Sequence, residues 1–378
     1  MKKLFCIFTA VALLLAALCA FAEDPIYITE IQKYGNIKLS ILGSDLLSRG
    51  FDYGDVVTVT LGRKSFDMPI GANYSDVPQG SMICRLEIKP ENNEDHTLIA
   101  INVGDFATTA GIAEKILTDA DPGYIWHYLV DEPVSVSFAM KEKGGYLTQL
   151  TMNQLIRSEK RESYPELTDE EFANYRAVTT TGMGTGRLYR SSSPVNPEIN
   201  RNRYADKAAE AAGVKSFINL VDDESTLKSY PGFSESYYSK QTYLLLDLDM
   251  DFFTPEFKDG LIKAIRFIGE NEAPYLVHCT EGKDRAGYVC AMLECLMGAE
   301  LNEVIADYMV TFYNFYGVLP STEHYDLIAS GNIVSTLCKT FGLTSLERTD
   351  LSAAAEAYLL AIGSTAEEID LARKNLGD

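Results

Sequence analysis

The sequence predicts two folded parts in series: a small all-β, barrel-like domain over residues 23–150, then an α/β domain over 171–378 with a central, mostly parallel sheet flanked by helices. Three observations carry this. Up to Phe138 the chain is made of short β-branched runs punctuated by Gly, Pro, Asn and Asp. After Thr168 strand-like and helical runs alternate, the pattern of a parallel sheet with crossover helices. Between them the chain turns strongly polar, with Arg157-Ser158-Glu159-Lys160-Arg161-Glu162-Ser163 and Pro165, which predicts a linker at 151–170. At 378 residues and 46% hydrophobic composition the chain has enough apolar surface for two cores.

In chain order, Met1-Lys2-Lys3, the apolar run Leu4 to Leu18 and the small-x-small Ala20-Phe21-Ala22 read as a cleavable secretory signal over residues 1–22, so the mature protein is expected to be secreted or exported. Cys19 does not suit lipidation, because Leu18 stands where a small residue is needed. No later stretch reaches the roughly 18 to 20 apolar residues of a bilayer span, so no integral membrane segment is expected after signal removal. A formal charge of -21 argues against nucleic acid and anionic membrane surfaces as partners. Any polyanionic substrate must then be drawn by a local basic pocket. Five cysteines remain after the leader, an odd number, so at least one thiol is unpaired; Cys290 and Cys295, five apart on one predicted helix, read as small buried hydrophobes.

The β region offers strands at 36–41, 55–61, 82–88 and 98–103. Its text, Phe51-Asp52-Tyr53-Gly54-Asp55-Val56-Val57-Thr58-Val59 followed by Asn73-Tyr74-Ser75-Asp76-Val77 and Ala100-Ile101-Asn102-Val103-Gly104, resembles the β-barrel half of the SAM hydroxide adenosyltransferases. The partner half of those enzymes has no counterpart here, so the resemblance implies a fold, a scaffold or docking domain, without S-adenosylmethionine chemistry. Next, Thr168-Asp169-Glu170-Glu171 reads as a capped helix start. Strands follow at 216–221 and 243–248, with helices at 206–212 and 255–269.

The chemistry sits at His278-Cys279-Thr280-Glu281-Gly282-Lys283-Asp284-Arg285, between a buried strand at 273–277 and a helix at 286–297 closed by Gly298. A strand-to-helix loop aims its amides at one point beside the positive end of the helix dipole. Such surroundings stabilise a thiolate. Arg285 offers a planar fork for two phosphoryl oxygens, and Gly282 bends the backbone without a side chain in the way. A phosphocysteine intermediate hydrolysed by water follows from this set. The leaving oxygen needs a proton, and the candidates are Asp284 within the loop and Asp247, Asp249 and Asp251 about thirty residues before Cys279. Other readings fail. Gly282-Lys283 lacks the Walker spacing, since Val277 stands five before Gly282 and Asp284 follows Lys283; Gly182-Met183-Gly184-Thr185-Gly186 leads into a strand and reads as a connector. Only four histidines exist, none in metal-ligand spacing, so no metal or cofactor is expected and His278 is expected to orient the loop.

The loop resembles the signature of the protein tyrosine phosphatase superfamily, and Gly282-Lys283-Asp284-Arg285 is similar to its bacterial tyrosine, dual-specificity and lipid phosphatase branch. Phe172-Ala173-Asn174-Tyr175-Arg176, Gly186-Arg187-Leu188-Tyr189-Arg190-Ser191, Ala211-Ala212-Gly213-Val214-Lys215, Asp307-Tyr308, Tyr358-Leu359-Leu360 and Glu367-Glu368-Ile369 are similar to that branch as well. The resemblance implies Cys279 as nucleophile, Arg285 as phosphate clamp, Asp284 as general acid with Asp249 or Asp251 as alternatives, and Lys283 as substrate contact. Thr280, Glu281, Gly282, Lys283, Ala286 and Gly287 are the expected substrate-binding residues. Two departures stand out. Ala286 replaces the Ser or Thr whose hydroxyl assists turnover in relatives, and Glu281 is expected to add negative charge beside the anion site. The implied activity is hydrolysis of phosphotyrosine-like esters; the alternatives are a phosphoinositide or inositol phosphate phosphatase and, in another class, a phosphate-binding pseudophosphatase.

Overall fold

The computed structural model describes residues 24–320 and 322–377; the expected signal at 1–22 lies outside the described residues. The chain divides into two compact units after Gln154.

In the first unit, strands β1 (Ile26–Ile31), β2 (Ile37–Leu39), β3 (Val56–Leu61), β4 (Lys64–Gly71), β5 (Met82–Lys89), β6 (Glu94–Ile101) and β9 (Ser135–Glu142) close into a barrel in the order β1-β2-β6-β5-β4-β3-β9. A two-stranded ribbon, β7 (Ala113–Leu117) and β8 (Tyr124–Tyr128), stands apart from that order. The pleat explains the core: in β3, Val57, Val59 and Leu61 are fully buried while Val56, Thr58 and Thr60 alternate outward. Ile37, Ile70, Cys84 and Ile99 meet them inside. Strands β4 and β9 lack a clean alternation: β4 exposes Lys64, Ser65 and Asp67 and contains Pro69, and β9 exposes every residue from Ala139 to Glu142. Asp55, just before β3, is almost completely buried; its carboxylate accepts from the Asp52 amide at 2.7 Å, the Gly144 amide at 2.8 Å and Lys143 Nζ at 2.9 Å.

The second unit begins at Leu155, within the stretch 151–170 expected as a linker. Tyr164 donates to the Phe315 carbonyl at 2.9 Å, and the buried Arg201 donates to Ser158 O at 3.3 Å. The polar residues that suggested solvent are instead the partners of buried groups. The Thr168/Glu171 capping box then opens the next short helix. Strands β10 (Arg176–Ala177), β11 (Leu188–Ser191), β12 (Ser216–Asn219), β13 (Thr242–Leu245) and β14 (Tyr275–His278) form a sheet ordered β10-β11-β14-β12-β13. Its β11/β14, β14/β12 and β12/β13 pairs are parallel and only β10/β11 is antiparallel. All four residues of β14 are buried, as a central strand covered on both faces requires. Helix α1 (Asn202–Ala211) packs Ala205, Ala208 and Ala209 near Phe217 and Leu276. Helix α2 (Pro255–Glu270) meets α3 (Asp284–Met297) through Phe257 and Tyr288, ring centroids 5.7 Å apart. Helix α4 (Leu301–Tyr316) follows α3. Several boundaries differ from expectation, and two of them bear on the site. Helix α3 starts at Asp284 instead of Ala286, and β13 ends at Leu245, with Asp247 in the left-handed region at φ 46°. The carboxyl ends of the parallel strands therefore carry Asn219, His278 and the loop into α3, the edge where open α/β sheets place their sites.

Asp55→Ala leaves the Asp52 and Gly144 amides without their acceptor, so chemical denaturation should show the first unit losing about 2–3 kcal/mol while the second keeps its midpoint.

Candidate active site

The loop from Cys279 to Lys283 is held by its carbonyls. Asn174 is fully buried, sits at φ 53°, a conformation Asn tolerates, and donates its side-chain amide to Glu281 O at 3.1 Å and Gly282 O at 3.3 Å. Arg190, also fully buried, donates to Gly282 O at 2.9 Å and Lys283 O at 3.3 Å. The Ser193 amide reaches Thr280 O at 3.0 Å. With these carbonyls satisfied from behind, the backbone at Gly282 turns at φ 69°, where an added Cβ would lie 2.1 Å from Ser191 O.

Asp307 on α4 fixes both arginines. Its carboxylate takes Arg190 Nη1 at 2.6 Å and Arg176 Nε at 2.9 Å, and Arg176 in turn donates to Asn174 Oδ1 at 2.8 Å. Burial would push the Asp307 carboxyl up, but the two guanidinium groups outweigh it and hold it below the usual range. Gly287 lets α3 approach this cluster: a Cβ there would meet Tyr308 at 2.7 Å and Arg190 at 2.9 Å.

Cys279 follows β14 directly and is 3% exposed. Arg285, in the first turn of α3, donates Nη1 to Leu248 O at 2.7 Å, and its Nε is buried without a partner. No carboxylate stands within ion-pairing distance of Arg285 among the described residues. The bond to Leu248 also draws the segment 247–251 to the loop, although Asp247, Asp249 and Asp251 are themselves exposed and Asp251 caps the Phe253 amide at 3.0 Å. Asp284 is half-buried at the N-terminus of α3; burial raises its carboxyl pKa, opposed by Lys283 and reinforced by Glu281. It is the first helical residue rather than a loop residue. Ala286 is buried, and Thr280 half-buried.

Glu281 corrects the sequence expectation. It does not present a bare charge: Oε1 lies 2.6 Å from Arg157 Nη1 and Oε2 2.9 Å from Lys283 Nζ. Burial would raise the Glu281 carboxyl, yet Lys283 and Arg157 hold it low. Lys283 lies 3.6 Å from Asp284 Oδ2; burial would depress the ammonium, but Asp284 and Glu281 prevail and raise it.

Behind Cys279, His278 is fully buried, with Nε2 3.4 Å from Tyr238 OH and Nδ1 3.4 Å from Cys279 O. Asn219 donates to Tyr238 OH at 3.4 Å and Asp222 Oδ2 at 2.9 Å, and Tyr230 donates to Asp222 Oδ1 at 2.7 Å. Burial lowers the His278 pKa to about 4, partly offset by Asp222, so the imidazole is neutral. Among the other thiols, burial pushes Cys84 and Cys295 up to about 12 and raises Cys290 as well.

In the sequence, Asn174, Arg176, Arg190 and Asp307 stand out only as points of resemblance, and Arg157, Asn219, Asp222 and Tyr238 carry no sign of a role at the site. Buried Arg and Asn text beside strand ends was the available signal for the first group; Arg157 lay in the supposed linker.

Two outcomes follow. Gly282→Ala collides with backbone, not a movable side chain, so it should reduce phosphate binding at the loop at least tenfold by calorimetry and cost about 2 kcal/mol or more of stability. His278 binds a proton less readily folded than unfolded, so its contribution is full above pH 6.5 and is lost as pH falls towards 4. The second unit should lose roughly 3 kcal/mol across that window, and His278→Asn should flatten the slope in pH-dependent denaturation.

Residues 221–376 match the model of the tyrosine phosphatase family. No curated protein matches the chain. Among solved structures, similarity is found to an uncharacterized conserved protein from Thermotoga maritima (20% identity, 31% of this chain, TM-score 0.24), of which the chain spans 38%. It is also found to the core catalytic domain of the PP-IP phosphatase Siw14 from S. cerevisiae (19% identity, 49% of this chain and 94% of that one, TM-score 0.28). A further Siw14 catalytic core gives 17% identity over 49% of this chain and 97% of that one, TM-score 0.27. At these scores the structural likenesses carry no further weight. The family match begins at Val221 and contains the whole Cys279 loop, so this stretch of the second unit is similar to the tyrosine phosphatase family.

Proposed function

We propose that the protein is an exported phosphomonoester hydrolase of the protein tyrosine phosphatase type, working through a phosphocysteine intermediate on phosphotyrosine-like esters. One observation carries the reading: Cys279 and Arg285 bracket a loop whose carbonyls are tied back, with the Arg285 fork adjacent, its Nε unpartnered and no carboxylate paired to it. The Cys279 thiolate attacks phosphorus, forming the S–P bond as the P–O bond to the leaving group breaks. Asp284 gives its proton to the departing oxygen. Water then forms a new P–O bond, the S–P bond breaks, and the proton lost by water returns to Asp284. Arg285 holds two non-bridging oxygens through both steps. The raised Asp284 pKa keeps the acid protonated to higher pH than an ordinary aspartate. The first unit is read as a scaffold or docking barrel, in line with its resemblance to the SAM hydroxide adenosyltransferase barrel.

A specific observation favours a second reading. Ala286 brings a buried methyl where an assisting hydroxyl is usual, which suits a protein that traps phosphate as a thioester. A phosphoinositide or inositol phosphate substrate remains the alternative within the enzyme class.

Steady turnover of an aryl phosphate, falling at least about 10³-fold in Cys279→Ser, is the expected result; one stoichiometric burst without turnover would favour the trap. With substrates of poor leaving groups, Asp284→Asn should lose about 10²-fold or more in kcat and remove the alkaline limb of the pH profile. Asp249→Asn or Asp251→Asn giving that loss instead would move the acid to the 247–251 segment.

A further inference from the structure

We propose that Arg157 and Lys283 form a second anion subsite beside the Cys279 loop, and that Glu281 is a tethered carboxylate occupying it. The inference rests on the phosphatase reading and specifies its substrate class: esters with one phosphate at the reacting position and no second phosphate next to it.

The two cations come from different parts of the chain, Lys283 from the loop itself and Arg157 from the segment just after the division at Gln154. They converge on one carboxylate, each taking a separate oxygen at 2.6 and 2.9 Å, the way two cations share the oxygens of a bound phosphate. Neither depends on Glu281 alone for its position. Arg157 Nε is paired to Glu159 Oε1 at 2.7 Å and its guanidinium lies 5.1 Å from the Phe315 ring centroid; Lys283 Nζ lies 5.9 Å from that of Tyr316. Glu159 is itself braced by Arg201, 3.5 Å away. The subsite is reachable, because the side chains of Arg157, Glu281 and Lys283 keep 21%, 24% and 14% of their exposure.

A carboxylate on the same loop competes at a high effective concentration, so an incoming second phosphate must displace it before gaining either cation. With Glu281 in place the subsite rejects that phosphate, which is discrimination through an unfavourable alternative rather than a better fit. Without Glu281 two cations would be left uncompensated beside the loop, and polyphosphorylated ligands would gain.

The test compares an aryl monophosphate with an inositol polyphosphate, reading the polyphosphate-to-monophosphate ratio of kcat/KM on the full chain. Glu281→Gln should raise that ratio about tenfold or more, and adding Arg157→Ala should return it towards the wild-type value; Glu281→Ala repeats the test should the glutamine variant misfold. An unchanged or lowered ratio, or a rise that persists without Arg157, overturns the subsite. If the wild type turns over neither ester, the phosphatase reading fails by itself and calorimetry decides the subsite. Glu281→Gln must then tighten pyrophosphate at least about tenfold relative to phosphate, an effect that Arg157→Ala cancels. Equal changes for the two ions overturn it.

Discussion

The buried pairing of Asp307 with Arg190 and Arg176 is the constraint on which the candidate site depends. An anion-binding loop needs its amides turned towards one point, and that turns its carbonyls the other way, into the protein. Buried carbonyls without donors are costly. Arg190 and Asn174 supply the donors for residues 281–283, and Asp307 makes it tolerable to bury the arginines. A neutral donor in place of Arg190 could satisfy one carbonyl, but its fork reaches Gly282 O, Lys283 O and Asp307 at once. The loop's outward face is thus prepared by an inward ion pair that never meets the ligand.

The same economy explains the close packing around Gly282 and Gly287. Ser191 O lies where a Cβ of residue 282 would go, and Tyr308 and Arg190 lie where a Cβ of residue 287 would go. Each glycine is set by backbone or by the ion-paired arginine, so neither neighbour can yield without releasing the loop. His278 adds a second support from the strand side. Its neutral ring sits among Tyr238, Asn219 and Asp222, joining the ends of β12 and β14 immediately before the nucleophile.

Much of this was legible in the residues. The Cys279 to Arg285 spacing located the loop, and the period-two runs of β3 located a barrel strand. The Thr168/Glu171 pair marked a helix start from side-chain chemistry alone. What could not be read depended on partners distant in the chain. Residues 151–170 looked like a solvated linker because nothing in the polar run shows that the Ser158 carbonyl accepts from Arg201 or that Tyr164 donates to the Phe315 carbonyl. Glu281 looked like a repulsive charge because Arg157 lies more than a hundred residues earlier. Asp284 and Arg285 were assigned to the loop since nothing in their identity shows that the backbone has already turned helical at Asp284. Strands such as β4 failed the alternation test through Pro69 and an outward face of polar residues.

Charge then explains why anion affinity must be local. The chain carries a formal charge of -21, so its distant field repels a phosphate ester. Near the loop most cations are already committed: Arg157 and Lys283 to Glu281, Arg176 and Arg190 to Asp307. These pairs are nearly neutral at the range of a ligand. Arg285 differs, since its neighbour at 2.7 Å is the neutral Leu248 carbonyl, and a carbonyl leaves the guanidinium's charge uncancelled. An anion arriving beside Cys279 therefore meets one uncancelled fork, the loop amides and the N-terminus of α3, all within a site where screening by water is reduced.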